Sequence, residues 1–317
     1  MELRHIRYFV AVAEERSFTG AAARLNVAQS PLSQQIRKLE REIGVELFIR
    51  TTRSVSLTYA GGVFYERMTS LLGDAEQGVD AARKAARGEL GKLAVGFTGS
   101  ATYELLPTLV RAHLDRYPEV ALDVRSDLVT PAQVQRLLDG DLTVGVLRPP
   151  VHAPGIAVEI IRHEPVVALL ASRHPTTNKR ELDLSDLRNE WFITYPTSPP
   201  STLSMLMQEA CERVGFVPRV RQEASDSAAL VALVAADMGV ALVPASLRHL
   251  GINGATFRPL RSPRMTVPLA LAYRDPATNP LVRRFLETAR AIVRSRENVE
   301  AVPTVPHHDE DHFSITM

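Results

Sequence analysis

Residues 58–87 constrain the chain more than any other stretch, because they are its longest uninterrupted helical candidate. Thr58 stands where an N-cap is needed. Behind it Phe64, Met68, Leu71, Ala75, Val79, Ala82 and Ala86 recur at spacings of 4, 3, 4, 4, 3 and 4, the repeat of a seam against another helix. At about 1.5 Å per residue the element is roughly 45 Å long, more than a compact domain of about 60 residues can cover. A second subunit is the expected cover; an interdomain helix packed within one chain is the alternative. The alanines permit close approach but bury little area, so Phe64, Met68, Leu71 and Val79 are expected to carry most of the association.

The stretch ahead of this rod, residues 1–60, holds short periodic runs separated by polar turns. Leu3, Ile6, Val10 and Ala13, with Phe9 beside them, make one face of an amphipathic helix whose other sides carry Arg4, Arg7, Glu14 and Glu15. After Ser17-Phe18-Thr19, Thr19 is expected to cap a short helix containing Ala22, Ala23 and Leu25 and ending near Asn26. Ser30 and Pro31 then supply a cap and a first-turn proline for a helix through Leu32, Ile36, Leu39 and Ile43, closed by Gly44. Two close helices with separate apolar faces predict a helix-turn-helix.

The opposite face of the second helix offers Ser33, Gln34, Arg37, Lys38 and Arg41, preceded by Gln29 and Ser30. Gln can pair with an adenine edge, Arg with guanine or phosphate, and Ser with phosphate at the helix start. A solvated charged face is the alternative, since Glu40 and Glu42 share the helix. Phe48-Ile49-Arg50 and Val55-Ser56-Leu57 predict a hairpin that would set Arg50 and Arg53 beside a duplex as a wing. Through residue 60 there are 9 Lys or Arg and 6 Asp or Glu, a difference of +3, although the whole chain sums 37 and 36 to only +1. Position of charge, not its total, points to nucleic acid.

Beyond Gly88 the pattern becomes alternating strands and helices. Strands are expected at Leu93–Phe97, Val120–Arg125 and Leu142–Leu147, with helices near Tyr103–Arg116 and Pro131–Leu138 between them. A second series places strands at Val166–Ala171, Trp191–Thr194, Val217–Gln222 and Val240–Val243, with helices at Leu203–Val214 and Leu230–Met238. A strand at Leu269–Tyr273 and a helix at Leu281–Arg294 complete it. This punctuation implies a largely parallel sheet in two small α/β lobes, the last segment returning to the first. Residues 297–317 hold His307, His308 and His312 among Asp309 and Asp311, a loose metal-binding composition; without an evident scaffold, disorder and no metal site are expected.

Gly96-Phe97-Thr98-Gly99-Ser100 leaves a strand and enters a helix, where free amides and the Ser100 and Thr102 hydroxyls can receive a carboxylate; ordinary capping is the alternative. Thr130-Pro131 repeats the arrangement. Arg148, just past a strand end, could reach the crevice; a surface residue or a domain-linking ion pair is the alternative. The loop with Thr197, Ser198 and Thr202 closes the other wall, and Leu203 adds an apolar contact. These donors and one cation suit an organic anion better than a phosphate cluster. There is no GxGxxG, no GxxxxGK[ST] and no GxSxG, the histidines lack metal-binding spacing, and Cys211 lies on a packed helix face, so no cofactor and no catalysis are expected. The single cysteine excludes an intrachain disulfide, the apolar runs are too short to cross a membrane, and MELRHIRYF lacks a secretory h-region, so the cytoplasm is the expected address.

The string MELRHIRYFVAVAEERSFTGAAARLNVAQSPLSQQIRKLEREIGVELFIRTTRSVSLTYAG resembles the LysR-type transcriptional regulators, and the likeness continues to about residue 294. It implies a winged helix-turn-helix DNA-binding domain over 1–60 and a dimerising linker helix over 61–89. Behind them it implies a two-lobed α/β, periplasmic-binding-protein-like effector domain. Lobe I is expected over 90–161 and 265–296, and lobe II over 162–264. In that family Ala28-Gln29-Ser30-Pro31-Leu32-Ser33 occupies the opening of the recognition helix, with one proline where SQPPLS has two.

The rear resembles the branch controlling benzoate, catechol and chlorocatechol catabolism, through Val95-Gly96-Phe97-Thr98-Gly99-Ser100, Leu147-Arg148-Pro149 and Val243-Pro244-Ala245-Ser246. There, positions matching Ser100, Thr130, Thr197, Ser198 and Thr202 surround effector carboxylates. Leu203 replaces an aromatic residue that serves a second, apolar pocket in one subgroup. The resemblance therefore implies double-stranded promoter DNA, a muconate-like or aromatic carboxylate inducer, self-association as dimer or tetramer, and RNA polymerase as partners, with no membrane. A solute-binding protein without DNA function, or less readily a small-molecule enzyme, is the competing reading.

Overall fold

The computed structural model describes residues 1–51, 54–198, 200–275 and 278–300, except the side chains of 295–300. Arg53 and the tail histidines lie outside the described residues. The chain divides into two compact units, Met1–Lys84 and one beginning at Ala85.

In the first unit α1 (Leu3–Glu15), α2 (Phe18–Leu25) and α3 (Gln29–Ile43) are followed by β1 (Phe48–Arg50) and β2 (Val55–Leu57). The apolar spacing does what the sequence predicts: Phe9, Val12, Leu32, Ile36, Leu39 and Leu47 are almost wholly buried in one core. Two caps differ from expectation. Ser17, not Thr19, caps α2 by accepting from Gly20 N at 3.2 Å, which leaves Thr19 inside the helix. Extended Ala28 precedes α3 and its carbonyl takes the Leu32 amide at 3.3 Å, so Ser30 belongs to the first turn. Asn26 and Gly44 end their helices with positive φ, 58° and 84°, as their types suggest. Pairing of β1 with β2 is antiparallel, Phe48 opposite Leu57 and Arg50 opposite Val55, which is the expected wing.

α4 (Tyr59–Arg87) follows; Thr58 Oγ1 accepts from Gly61 N and donates to the Glu46 carbonyl, each at 2.8 Å. Its seam is not uniform. Phe64 and Met68 are half-buried against the first unit's own core, Phe64 with its ring 5.0 Å from that of Phe9, so less of their surface is left for a partner than expected. Leu71 and Val79 remain 37% and 51% exposed.

The second unit runs β3 (Gly91–Phe97), α5 (Gly99–Arg116), β4 (Val120–Arg125), α6 (Thr130–Asp139), β5 (Val144–Leu147), β6 (Ala157–Ala171), β7 (Leu182–Asp183) and β8 (Trp191–Thr194). It continues through α7 (Thr202–Arg213), β9 (Arg219–Glu223), α8 (Ser227–Ala235), β10 (Ala241–Pro244), β11 (Ala255–Ser262), β12 (Thr266–Tyr273) and α9 (Pro280–Glu300). The sheet is mixed, not largely parallel: β3 pairs parallel with β4 and β5, but β12 runs antiparallel to both β5 and β6.

β6 is the main surprise. Only Val166–Ala171 is expected as a strand, yet the element has 15 residues. Its first half pairs with β12 in lobe I, and its second half with β10 and β11 in lobe II. Charged Glu159, Arg162, His163 and Glu164 hide that first half from hydropathy, and β11, with Arg258 and Arg261, escapes for the same reason. α9 returns to lobe I, burying Val282, Phe285 and Ala289 against Leu93 and Val95; it extends to Glu300, so residues 297–300 are helical and the rest of the tail lies outside the described residues.

His113 on α5 is fully buried beside the Tyr117 and Phe285 rings, at 5.1 and 5.3 Å. Burial pushes its pKa from 6.5 down to about 4. The folded chain thus resists a proton that the unfolded chain accepts, so this group costs nothing above pH 6.5 and progressively destabilises the fold as pH falls toward about 4. Denaturant titrations between pH 7 and 4 should show up to about 3 kcal/mol of loss from this source, and His113→Phe should flatten that slope. An unchanged slope in the variant would contradict the assignment.

Candidate functional site

The outward face of α3 is as the sequence places it. Gln29, Ser30, Gln34, Arg37 and Lys38 are exposed and Ser33 is half-buried, while Leu32, Ile36 and Leu39 on the opposite face are fully buried. A polar edge on a helix fixed by its own apolar stripe is the form that enters a major groove. Glu40, read only as a charge competing with the basic face, has a structural task. Its carboxylate accepts from Leu47 N at 3.0 Å and Phe48 N at 3.2 Å, and binds the Arg50 guanidinium. Arg50 also lies 5.0 Å over the Phe18 ring. The wing is thereby clamped to α3, and Arg50 is held in place and is not a free arm.

The second site is a cavity of about 220 Å³ between the lobes. Its wall includes the first residues of α5 (Gly99, Ser100), α6 (Thr130, Pro131), α7 (Thr202, Leu203) and α8 (Ser227), so the positive ends of these helices meet there. Helix α5 begins at Gly99, ahead of the expected Tyr103, because Thr98 is extended and its carbonyl takes the Ala101 amide at 3.0 Å.

Five expected residues line the cavity: Ser100, Thr130, Arg148, Thr202 and Leu203. Three do not. Thr102 turns its hydroxyl back to the Thr98 carbonyl at 3.3 Å, and Thr197 binds Glu223 through both hydroxyl and amide. Ser198 is exposed and outside the wall. Leu203 also belongs to the lobe II core.

Arg148 is 2% exposed, and its Nη2 lies 2.6 Å from Glu164 and 2.8 Å from Ser100 Oγ. Nη1 donates to the Pro268 carbonyl at 3.2 Å. Arg148 therefore both lines the crevice and makes a buried ion pair, so its charge is already matched. Its Nε has no acceptor among the described residues. Glu164 in turn accepts from Ser246 N at 2.8 Å, and Ser246 Oγ donates to the Ser100 carbonyl at 3.1 Å. One polar node therefore ties β5, β6, α5 and the turn at Ala245–Leu250 across the lobes. Thr130 exchanges two hydrogen bonds with the Arg148 backbone, and Thr202 Oγ1 donates to the Pro149 carbonyl at 3.2 Å.

Unforeseen in the wall are Asp127, Tyr195, Ser225, Asp226 and Ser227. Tyr195 shares a 3.0 Å hydrogen bond with Ser227, and burial pushes its pKa up to about 12. Gly99 admits this arrangement: a Cβ there would lie 2.8 Å from both Asp127 Oδ1 and Ser227 Oγ. An aspartate pair separated by so much chain carries no local signal. A second cavity of about 320 Å³ is more polar, lined by Glu104, Arg162, Glu164, Arg248 and His249; Leu203 takes no part in it. Cys211 is buried, with its thiol pushed up to about 12 by burial, the inert cysteine expected.

Residues 3–62 match the family described as bacterial regulatory helix-turn-helix protein, lysR family, and residues 86–294 match the LysR substrate binding domain. The HTH-type transcriptional regulator AlsR of Bacillus subtilis (strain 168) is 40% identical over 286 residues, 90% of this chain and 94% of that protein. The HTH-type transcriptional regulator BenM of Acinetobacter baylyi is 33% identical, over 92% of this chain and 96% of that protein. The crystal structure of full-length CbnR complexed with its target DNA aligns with a TM-score of 0.81 at 31% identity, covering 92% of this chain and all of that one. These relatives are named as transcription regulators, not enzymes, and no single catabolic branch is singled out. Among the described residues no helix is long and apolar enough to cross a membrane.

Breaking the buried node should be costly. Glu164→Ala leaves Arg148 uncompensated and is expected to lose about 3–5 kcal/mol of unfolding free energy. Arg148→Met combined with Glu164→Gln should lose less, since no charge is then stranded. Equal losses by denaturant titration would show that the pairing itself is not what matters.

Proposed function

The chain belongs to the LysR family of bacterial regulatory helix-turn-helix proteins and is a DNA-binding transcription regulator; on that premise we propose that a small organic effector held between its rear lobes sets its output. Double-stranded promoter DNA is read by the outward face of α3, with Gln29, Ser30, Ser33, Gln34, Arg37 and Lys38 supplying phosphate and base contacts. Arg50, clamped by Glu40, flanks them from the wing. The target-DNA complex of CbnR, alike in fold over nearly the whole chain, supports this role.

Leu71 and Val79 on α4 supply the exposed apolar surface for a second copy, and a dimer or a tetramer built from it would meet half-sites about one helical turn, or a multiple, apart. RNA polymerase is the natural recipient of the output. The observation that carries the effector reading is the cavity itself, since its wall is drawn from both lobes, so an occupant that fits one lobe arrangement better than another shifts the balance between them. Converging helix N-termini favour an oxygen acceptor on that occupant, organic acids included.

Arg37→Ala should weaken operator binding by roughly 1–3 kcal/mol, or lower the salt slope by about one if its contact is a phosphate. Fluorescence anisotropy over a salt series measures both. Retained affinity with an unchanged slope would remove Arg37 from the interface. Leu71→Glu should shift sedimentation toward monomer, and an unaltered profile would remove α4 from the assembly.

A further inference from the structure

We propose that the interlobe cavity selects an uncharged effector carrying both an oxygen acceptor and a hydroxyl or amide donor, in preference to the carboxylate anion that sequence motifs suggest. This rests on the reading of that cavity as the effector site. Its lining side chains do not supply the net positive charge an anion needs, although the helix N-termini around it are positive. Arg148 is the cation among its described lining residues, and Glu164 already occupies it. Asp127 and Asp226 face the same space from the two lobes, adding two carboxylates with no further lining Lys or Arg.

Each wall asks for a different partner. Asp226 caps α8, accepting from Ala229 N at 2.8 Å, so its charge neutralises that helix terminus. Asp127, held at φ 56°, sets Oδ1 against Gly99, beside Ser227 Oγ. A carboxylate is an acceptor only, so this corner wants a donor from the ligand. On the Arg148 side, the buried Nε lacks an acceptor among the described residues and the backbone amides at the helix starts are donors, whereas the Thr130 and Thr202 hydroxyls already donate to the Arg148 and Pro149 carbonyls. A ligand that carries a carbonyl oxygen together with a hydroxyl or amide N–H answers both. A carboxylate would satisfy the donors while meeting two like charges in a partly desolvated space. Burial and then Asp226 hold the Asp127 carboxyl above its usual range, and Asp127 and Asp226 add to burial in raising the Tyr103 phenol, so two neighbouring groups feel the same negative field.

Benzamide and benzoate test this, because they share shape and differ in charge and in the donor. Titrated into the full chain and followed by NMR shifts of residues lining the cavity, benzamide should bind at least about tenfold more tightly than benzoate. Asp127→Asn should bring the two within about threefold by improving benzoate; asparagine tolerates positive φ, so the variant should keep the backbone. Benzoate binding more tightly than benzamide to the parent chain, with a ratio unchanged in Asp127→Asn, would overturn the selectivity while leaving the cavity as the effector site. Shifts absent at the cavity for both compounds at tens of millimolar, or confined to another surface, would overturn the effector reading and this inference with it.

Discussion

The rear half of the molecule is organised around the buried pair of Arg148 and Glu164. Burying two charges is expensive, and such a pair survives only with its remaining hydrogen-bonding capacity largely met. Here Ser100, Pro268 and Ser246 meet most of it. The pair sits where β6 passes from one lobe to the other, and its partners come from both. A buried pair of this kind adds little net stability; what it does here is tie contacts from both lobes together, with the cavity immediately beside it. A ligand in that cavity touches Arg148 directly, which gives occupancy a physical route to the cross-lobe contacts.

Much of the front unit was legible because its periodicity is strong and local. Leu32, Ile36 and Leu39 had to face one way, which forced Gln34, Arg37 and Lys38 to face the other. Both misread caps were two-residue shifts: Ser17 and Thr19 are chemically near-equivalent, and α3 starts from Ala28 with no side-chain cap at all. Long-range pairing was less accessible. The charged first half of β6 and the arginine-bearing β11 lack the apolar run of a buried strand, and they become strands only because β12 and the lobe II sheet supply their hydrogen bonds.

The cavity was half legible for a related reason. Strand ends followed by helix starts marked Ser100 and Thr130, since α/β lobes place ligands there. Nothing in the sequence could pair Arg148 with Glu164 or set Asp127 beside Asp226, because those are facts of tertiary geometry. Thr197 and Ser198 looked suitable by type and neighbourhood, but Glu223 takes Thr197 away from the wall. The consequence is chemical: the inventory of donors suggested an anion site, whereas the assembled charges favour a ligand that also donates.

The account depends on the α3 edge meeting a duplex, with Glu40 fixing the wing alongside. Hydrogen–deuterium exchange on the full chain, with and without a selected operator duplex at fixed salt, measures this most directly. Protection should concentrate over residues 29–38 and the adjoining β1–β2 segment. Protection confined to the effector unit, with the α3 segment exchanging as in the free protein, would contradict it.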